Sequence, residues 1–175
     1  MVRFKTRLVQ TDNVVDGSIT NVKMDPTGGH FLDTKYKTAS ESVNNSITLQ
    51  NDDHLVSGSL AINTEWVVEI NLQYTCAVDA SGDFELDFVL PAGASWRIGG
   101  FGMSTADALV NAKSDSGAAS IEFGGSTTDR IWYFSGWILI GATAGTCQLR
   151  WAQNVAVAQN YTFLRGSSMI LRRTV

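Results

Sequence analysis

Apolar and polar side chains alternate along the middle of this chain, most clearly in residues 66–76. Every second residue from Trp66 to Cys76 is apolar, and polar residues such as Glu69 and Gln73 stand between them. A period of two places the apolar set on one face of a β-strand and the polar set on the other. The pattern therefore predicts a long strand that lies on a hydrophobic core.

The same alternation recurs along most of the chain that follows. Residues 84–90 come after a turn, which predicts a hairpin or meander pair with residues 66–76. Further strands are predicted at 96–101, 119–123, 129–140, 146–153, 161–165 and 168–173. Seven or eight strands at this spacing predict an all-β fold, a jelly-roll-like antiparallel β-sandwich. The alanine-rich residues 104–113, which Ser104 would cap, predict one short helix.

The first 45 residues lack this pattern. Their apolar residues follow no sustained period, and turn-forming residues interrupt them, so the segment has little with which to build its own core. We therefore expect an extended N-terminal arm at 1–45 and a β-sandwich domain at 46–175. Within the arm Arg3, Lys5 and Arg7 alternate with Phe4. An extended chain of this kind would add a strand to an acidic neighbour, or it would remain a flexible basic tail.

Charge narrows the classes of partner. Charged residues make up 17% of the chain, below the roughly 25% that is usual in soluble proteins. Residues 1–45 carry six basic and five acidic residues, whereas residues 46–175 carry seven basic and twelve acidic ones. No basic face suited to a phosphate backbone results, so we expect no nucleic-acid partner.

The start of the chain lacks the apolar stretch of a secretion signal, and no apolar run reaches membrane-spanning length. We therefore expect a protein that is made in a cytosol, with no membrane partner. Cys76 and Cys147 fall at apolar positions of predicted strands. A reducing cytosol opposes a disulfide, so buried free thiols are favoured over a bridge between them.

Catalytic patterns are weak. The two histidines are His30 and His54, and no Gly-x-Ser-x-Gly elbow accompanies them. His54 lies in a polar, turn-like stretch beside Asp52 and Asp53, which favours a solvated histidine. Neither histidine has a second His or a Cys at zinc-ligand spacing. Asp83, Glu85 and Asp87 share one side of a predicted strand, and Glu69 is placed on a neighbouring one. That spacing suits a carboxylate pair or a weak calcium site, but a solvated strand face is favoured. We expect no enzyme and no cofactor.

Aromatic residues suggest a different kind of site. Trp132 and Tyr133 are adjacent, so in a strand one of them points away from the core. This makes Tyr133 a candidate for a subunit interface or a ligand platform. The remaining tryptophans are predicted to be core residues: Trp66, Trp96, Trp137 and Trp151.

Several stretches resemble a family of virion structural proteins of tailed bacteriophages. The resemblance runs over roughly residues 35–175 and rests on Lys35-Tyr36-Lys37-Thr38, residues 42–55, Ala61-Ile62-Asn63, residues 141–153 and residues 166–173. Residues 16–20 with Lys23 are also similar to short segments of phage tail-fibre proteins. The family occurs as modules of fibres and as small separate proteins. The resemblance implies no catalytic residues, and it implies a trimer.

The chain begins at Met1 and ends with the predicted β-domain, which favours a capsid decoration (cement) protein over a module on a fibre shaft. We expect such a protein on the capsid surface of the virion, as a homotrimer that binds the shell of major capsid protein. The alternative is a short tail fibre or receptor-binding tip that recognises host polysaccharide, and a small glycan hydrolase is a third class. The residues predicted to contact partners are Arg3, Phe4, Lys5, Arg7, Leu8, Ile19, Phe31, Leu32 and Tyr133.

Overall fold

The chain forms an antiparallel β-sandwich in a computed structural model that describes residues 32–76, 83–103, 109–115, 120–124 and 127–174. The larger sheet contains β1 (Leu32–Tyr36), β2 (Glu41–Asn44), β4 (Glu65–Cys76), β6 (Ser95–Met103), β7 (Leu109–Asp115), β9 (Arg130–Leu139), β11 (Asn160–Phe163) and β12 (Ser168–Arg173). The smaller sheet contains β3 (Gln50–Val56), β5 (Asp83–Val89), β8 (Ile121–Gly124) and β10 (Gln148–Gln153). The predicted all-β sandwich is thereby confirmed, while the jelly-roll connectivity stays a prediction.

Strand order explains where the core lies. The large sheet runs β1-β12-β4-β9-β6-β7, with β11 also paired with β4 and β2 paired with β11, and the small sheet runs β3-β10-β5-β8. The six alternate apolar side chains of β4 are all buried, as predicted. Each such burial stabilises the fold by about 1.5–3 kcal/mol, so β4 anchors the centre of the sheet.

Aromatic rings join the two sheets. Phe84 of the small sheet lies with its ring centroid 4.9 Å from that of Tyr74 and 5.0 Å from that of Tyr161, both in the large sheet. Phe123 of β8 lies 5.1 Å from Trp132 of β9. Such edge and tilted ring contacts add to the energy of area burial. They fill the space between the inner faces.

Glycines of β6 make room for the rings of β9. Gly100 and Gly102 are directly opposite Phe134 and Trp132 in the register. A β-carbon at Gly100 would lie 2.3 Å from the ring of Phe134, and one at Gly102 would lie 2.5 Å from the ring of Trp132. At Gly100 the β-carbon would also lie 2.5 Å from the backbone oxygen of Tyr133, so a larger residue there requires β9 itself to move.

The predicted hairpin between residues 66–76 and 84–90 is wrong. These segments form β4 and β5, which belong to different sheets. β4 pairs with β12, β9 and β11, and β5 pairs with β10 and β8. Alternation tells which side of a strand is buried but not which strand lies beside it. Here the two buried sides face each other across the core.

The predicted boundary between arm and sandwich at residue 45 is also corrected. β1 and β2 lie within residues 32–45 and pair with β12 and β11. Their inward positions carry the polar residue Asp33 as well as Val43, so apolar periodicity could not reveal them. Residues 1–31 lie outside the described part of the chain.

The short helix predicted at 104–113 is replaced by strand from Leu109 onward. β7 pairs with β6 over seven residues, from Leu109 opposite Met103 to Asp115 opposite Arg97. Helix propensity is a weak preference, and the hydrogen bonds of a sheet edge outweigh it here. Residues 104–108 are outside the described residues.

Candidate functional site

The outer face of the large sheet carries a groove near the β7 edge. It has a volume of about 690 Å³ and is lined by residues of β6, β7 and β9, among them Arg97, Gly99, Asp115, Ser135 and Trp137. Ligand sites of small molecules typically enclose about 300–1,000 Å³, so the groove has the size of a binding site.

Register places the groove residues in two rows across the sheet. Trp137 is opposite Arg97, and Arg97 is opposite Asp115, so these three side chains form one row over β9, β6 and β7. Ser135 is opposite Gly99 in the next outward row. The two rows are two residues apart along each strand, or about 6.5 Å, so a row of large side chains lies beside the small residues Ser135 and Gly99.

Trp137 was predicted to be a core residue, and this is wrong. It is half-buried and lines the groove, whereas the other four tryptophans are at most 5% exposed. Trp137 lies on the outward side of β9 because the buried positions of that strand are Trp132, Phe134 and Ile138. Sequence reasoning missed Trp137 as a site residue, together with Arg97 and Asp115.

The charges of the groove offset one another. Arg97 Nη2 lies 3.5 Å from an oxygen of Asp115, and the two side chains are 68% and 44% exposed. Exposed pairs of this kind contribute about 0–1 kcal/mol to stability. The pair therefore offers donors and an acceptor at the groove rim without fixing the fold.

Tyr133 lies on the outer face, as predicted, but outside the groove lining. Its ring packs beside that of Phe101 with centroids 5.7 Å apart. Burial raises the pKa of Tyr133, and the nearby negative charge of Glu69 adds to that rise. Glu69 is itself paired with Arg172. Phe101 and Ile131 are also exposed on this face, which makes it more apolar than a usual solvated surface.

A second polar cluster lies inside the sandwich. The ammonium of Lys37 donates to Asp52 Oδ2 at 2.6 Å and also to Glu41. The other oxygen of Asp52 accepts the backbone N–H groups of His54 and Leu55, each at 2.9 Å. Lys37 follows β1, and Asp52 belongs to β3, so the cluster connects the two sheets.

This cluster also contains the one triad of metal-ligand type found among the described residues: Glu41, Asp52 and His54. The Lys37 ammonium already occupies the position between the two carboxylates. Burial lowers the pKa of Lys37, while its bond to Asp52 opposes that shift. His54 is half-buried on β3 and is not in the solvated turn predicted from the sequence. The chemistry of the cluster is that of a structural ion pair.

Two acids of the row on β5, Glu85 and Asp87, are engaged with neighbouring residues. Arg150 donates to Asp87 through Nε at 3.0 Å and through Nη2, and Ser120 donates to Glu85. Glu69 was predicted to lie on a strand next to β5, and this is wrong, because Glu69 belongs to the other sheet. Opposite Glu85 stands Glu122 of β8.

The β1 edge of the large sheet exposes two apolar side chains. Leu32 is 43% exposed and Tyr36 is 62% exposed, and their spacing places both on the same outward side of the strand. Leu32 is the one predicted N-terminal contact residue that the structure describes. The others lie outside the described residues: Arg3, Phe4, Lys5, Arg7, Leu8, Ile19 and Phe31.

Both cysteines are buried and form no disulfide with each other, as predicted. Burial raises the pKa of Cys147 far above its usual range, so its thiol is not a nucleophile.

Within the described residues, no helix is both long and apolar enough to cross a membrane. Comparison of the chain with protein-family models, with curated proteins and with solved structures gave no match.

Proposed function

We infer that this chain is a bacteriophage virion structural protein, and specifically a capsid decoration protein that binds and stabilises the assembled head shell. The observation that supports this most directly is the β1 edge, which exposes Leu32 and Tyr36 where the N-terminal residues join the sandwich. The resemblance to virion proteins of tailed phages supplies the kind of particle. The proposal includes a homotrimer of the β-domain and no catalytic role.

An edge strand with apolar side chains is a natural attachment point. Within the described residues β1 is the last strand of its sheet and pairs with β12. A second chain can contact such an edge through the exposed side chains of Leu32 and Tyr36. In the proposal the N-terminal residues and the β1 edge together contact the shell.

Stabilisation follows from mass action. A protein that binds the assembled shell, and not its separated subunits, raises the free energy needed to take the shell apart. Three attachment points on one trimer act at a high effective concentration, so weak individual contacts combine into firm attachment. No reaction is needed for this role.

The test is a pair of double variants of the full chain. Leu32→Ser with Tyr36→Ser removes the two exposed side chains of the β1 edge, and Ile62→Ser with Val155→Ser removes two equally exposed side chains elsewhere. Binding to heads that lack the protein is measured by co-sedimentation. We expect at least about a tenfold loss of affinity for the β1 variant alone. Equal affinities of the two variants would contradict the role of the β1 edge.

A second candidate function is a short tail fibre or receptor-binding tip, and the groove beside Trp137 is the observation that favours it. Virions that lack the protein distinguish the two. Loss of a decoration protein should leave adsorption to cells intact while heads break at lower temperature. Loss of a receptor-binding tip should abolish adsorption and leave head stability unchanged.

A further inference from the structure

We propose that the groove beside Trp137 binds a neutral pyranose ring of a surface glycan. This activity goes beyond shell attachment and does not depend on it, because the groove residues belong to β6, β7 and β9. β9, the groove strand nearest to β1, stands three strands away from it in the sheet order, on the order of 14 Å at the usual strand spacing. A molecule attached through β1 therefore keeps its groove separate from the attachment point.

The aromatic wall fits one face of a sugar. A pyranose presents C–H groups on its faces and hydroxyls around its rim. Indole is flat, apolar over most of its surface and carries a negative π face that attracts polarised C–H groups. Trp137 borders the groove with its side chain half-buried, so it is held in place and still accessible.

The floor allows the ring to approach closely. Gly99 has no side chain, and Ser135 opposite it has a small one. A flat ring lying against Trp137 would rest over these two positions. The Ser135 hydroxyl can both donate and accept a hydrogen bond, as sugar hydroxyls require.

The polar rim completes the fit and selects against charge. Arg97 offers several N–H donors, and Asp115 offers carboxylate acceptors, so together they match vicinal hydroxyls that both donate and accept. Because the two charges lie 3.5 Å apart, the rim is close to neutral. An anionic sugar or a phosphate would meet Asp115 beside Arg97 and lose part of its attraction. The neutral glycan is the ligand class that suits all three features.

Tryptophan fluorescence gives a selective measurement. Trp137 is half-buried, and the other four tryptophans are at most 5% exposed, so iodide should quench mainly Trp137. The probes are maltohexaose, cellohexaose and chitohexaose, each added up to about 10 mM because a single shallow site binds weakly. We expect at least one of them to protect Trp137 from iodide in a saturable manner.

Variants locate the binding. Trp137→Ala should lower the affinity for the protecting saccharide by about tenfold or more. Because this variant lacks the fluorescent residue, its binding is measured from shifts in the NMR signals of the saccharide. Arg97→Ala should weaken it by several-fold, and this exposed side chain can be removed without a threat to folding. Ile131→Ala is the matched control, because Ile131 is exposed on the same side of β9 and lies outside the groove. The affinity of Ile131→Ala for the saccharide should stay within about twofold of that of the unaltered protein.

Two results would overturn the proposal. One is the absence of protection by all three saccharides, or saccharide binding that Trp137→Ala and Arg97→Ala both leave unchanged. The other is protection of Trp137 that grows with protein concentration and not with saccharide, since a second copy of the chain would then cover the groove. Neither result bears on shell binding through β1, so the two proposals fail independently.

Discussion

Replacement of Lys37 by Met tests the ion pair that joins the two sheets. Met is close to Lys in length and shape but carries neither charge nor donors. The substitution leaves the carboxylate of Asp52 fully buried without its cationic partner. Asp52 would retain the two backbone N–H groups that it accepts at 2.9 Å, which offset only part of the cost of burying a charge.

The expected magnitude follows from that geometry. Removal of one partner of a buried ion pair costs about 3–5 kcal/mol, because the remaining charge is uncompensated. Asp52→Asn neutralises that charge and keeps an oxygen for the two backbone N–H groups. The double variant Lys37→Met with Asp52→Asn should therefore lose less than the sum of the single variants, with a coupling of at least about 1 kcal/mol.

The assay is urea unfolding followed by far-UV circular dichroism. Arg97→Met is the control, since Arg97 pairs with Asp115 at 3.5 Å and the two side chains are 68% and 44% exposed. This variant should lose about 0–1 kcal/mol. The reasoning would be refuted if Lys37→Met cost no more than Arg97→Met, or if the losses in the double variant were additive.

Three other predictions use the same unfolding assay. The buried amide of Gln153 makes four hydrogen bonds to backbone groups of three residues. Gln153→Met should therefore lower the free energy of unfolding by about 2–4 kcal/mol, and a loss below about 1 kcal/mol would contradict that role. Gly136→Ala should cost about 1–3 kcal/mol or more, because its β-carbon would lie 2.0 Å from a carbonyl oxygen of β6; an unchanged midpoint would show that β6 can move. Burial raises the pKa of Cys147 and raises the pKa values of Tyr74 and Tyr161 to about 12. The unfolded chain therefore loses these protons first, and the free energy of unfolding should fall as pH rises from 9 towards 12, by about 1.4 kcal/mol per pH unit for each ionising group. The pKa of Tyr133 is raised as well, so the buried lysine, whose pKa is lowered, opposes this fall with one group against four. Stability that stays level above pH 10 would contradict the prediction.

Sequence alone gave the buried and exposed sides of the long strands. In β4 the apolar residues from Trp66 to Cys76 are the buried ones because a two-residue period leaves a single choice of face. It did not give the neighbours of each strand, since β4 and β5 alternate equally well whether they pair side by side or face each other. Partner choice depends on contacts distant in sequence, such as that between Tyr74 and Phe84.

The same two-residue period could have predicted one residue of the candidate groove, Trp137. Trp137 lies four residues after Tyr133, so one unbroken strand places both on the same face. Once Tyr133 is assigned to the outer face, Trp137 cannot be a core residue of that strand. The places of Arg97 and Asp115 in the groove could not be predicted from the sequence. They lie in one row with Trp137 only because β7 pairs with β6 and β6 pairs with β9.

Buried polar contacts hold β1 in place, and they would resist a force applied through the N-terminal residues. Alternating apolar residues set the register of β4, but β1 has polar side chains on its inward side, and its position depends on directional contacts instead. Asp33 accepts the backbone N–H of Gly58 at 2.7 Å, and Lys37 bonds to Asp52 of the opposite sheet. A pull on β1 from residues bound to another surface would have to break these buried polar bonds together. If β1 is the attachment point that we propose, Lys37→Met should therefore weaken shell binding as well as stability, although Lys37 itself is buried and cannot contact the shell.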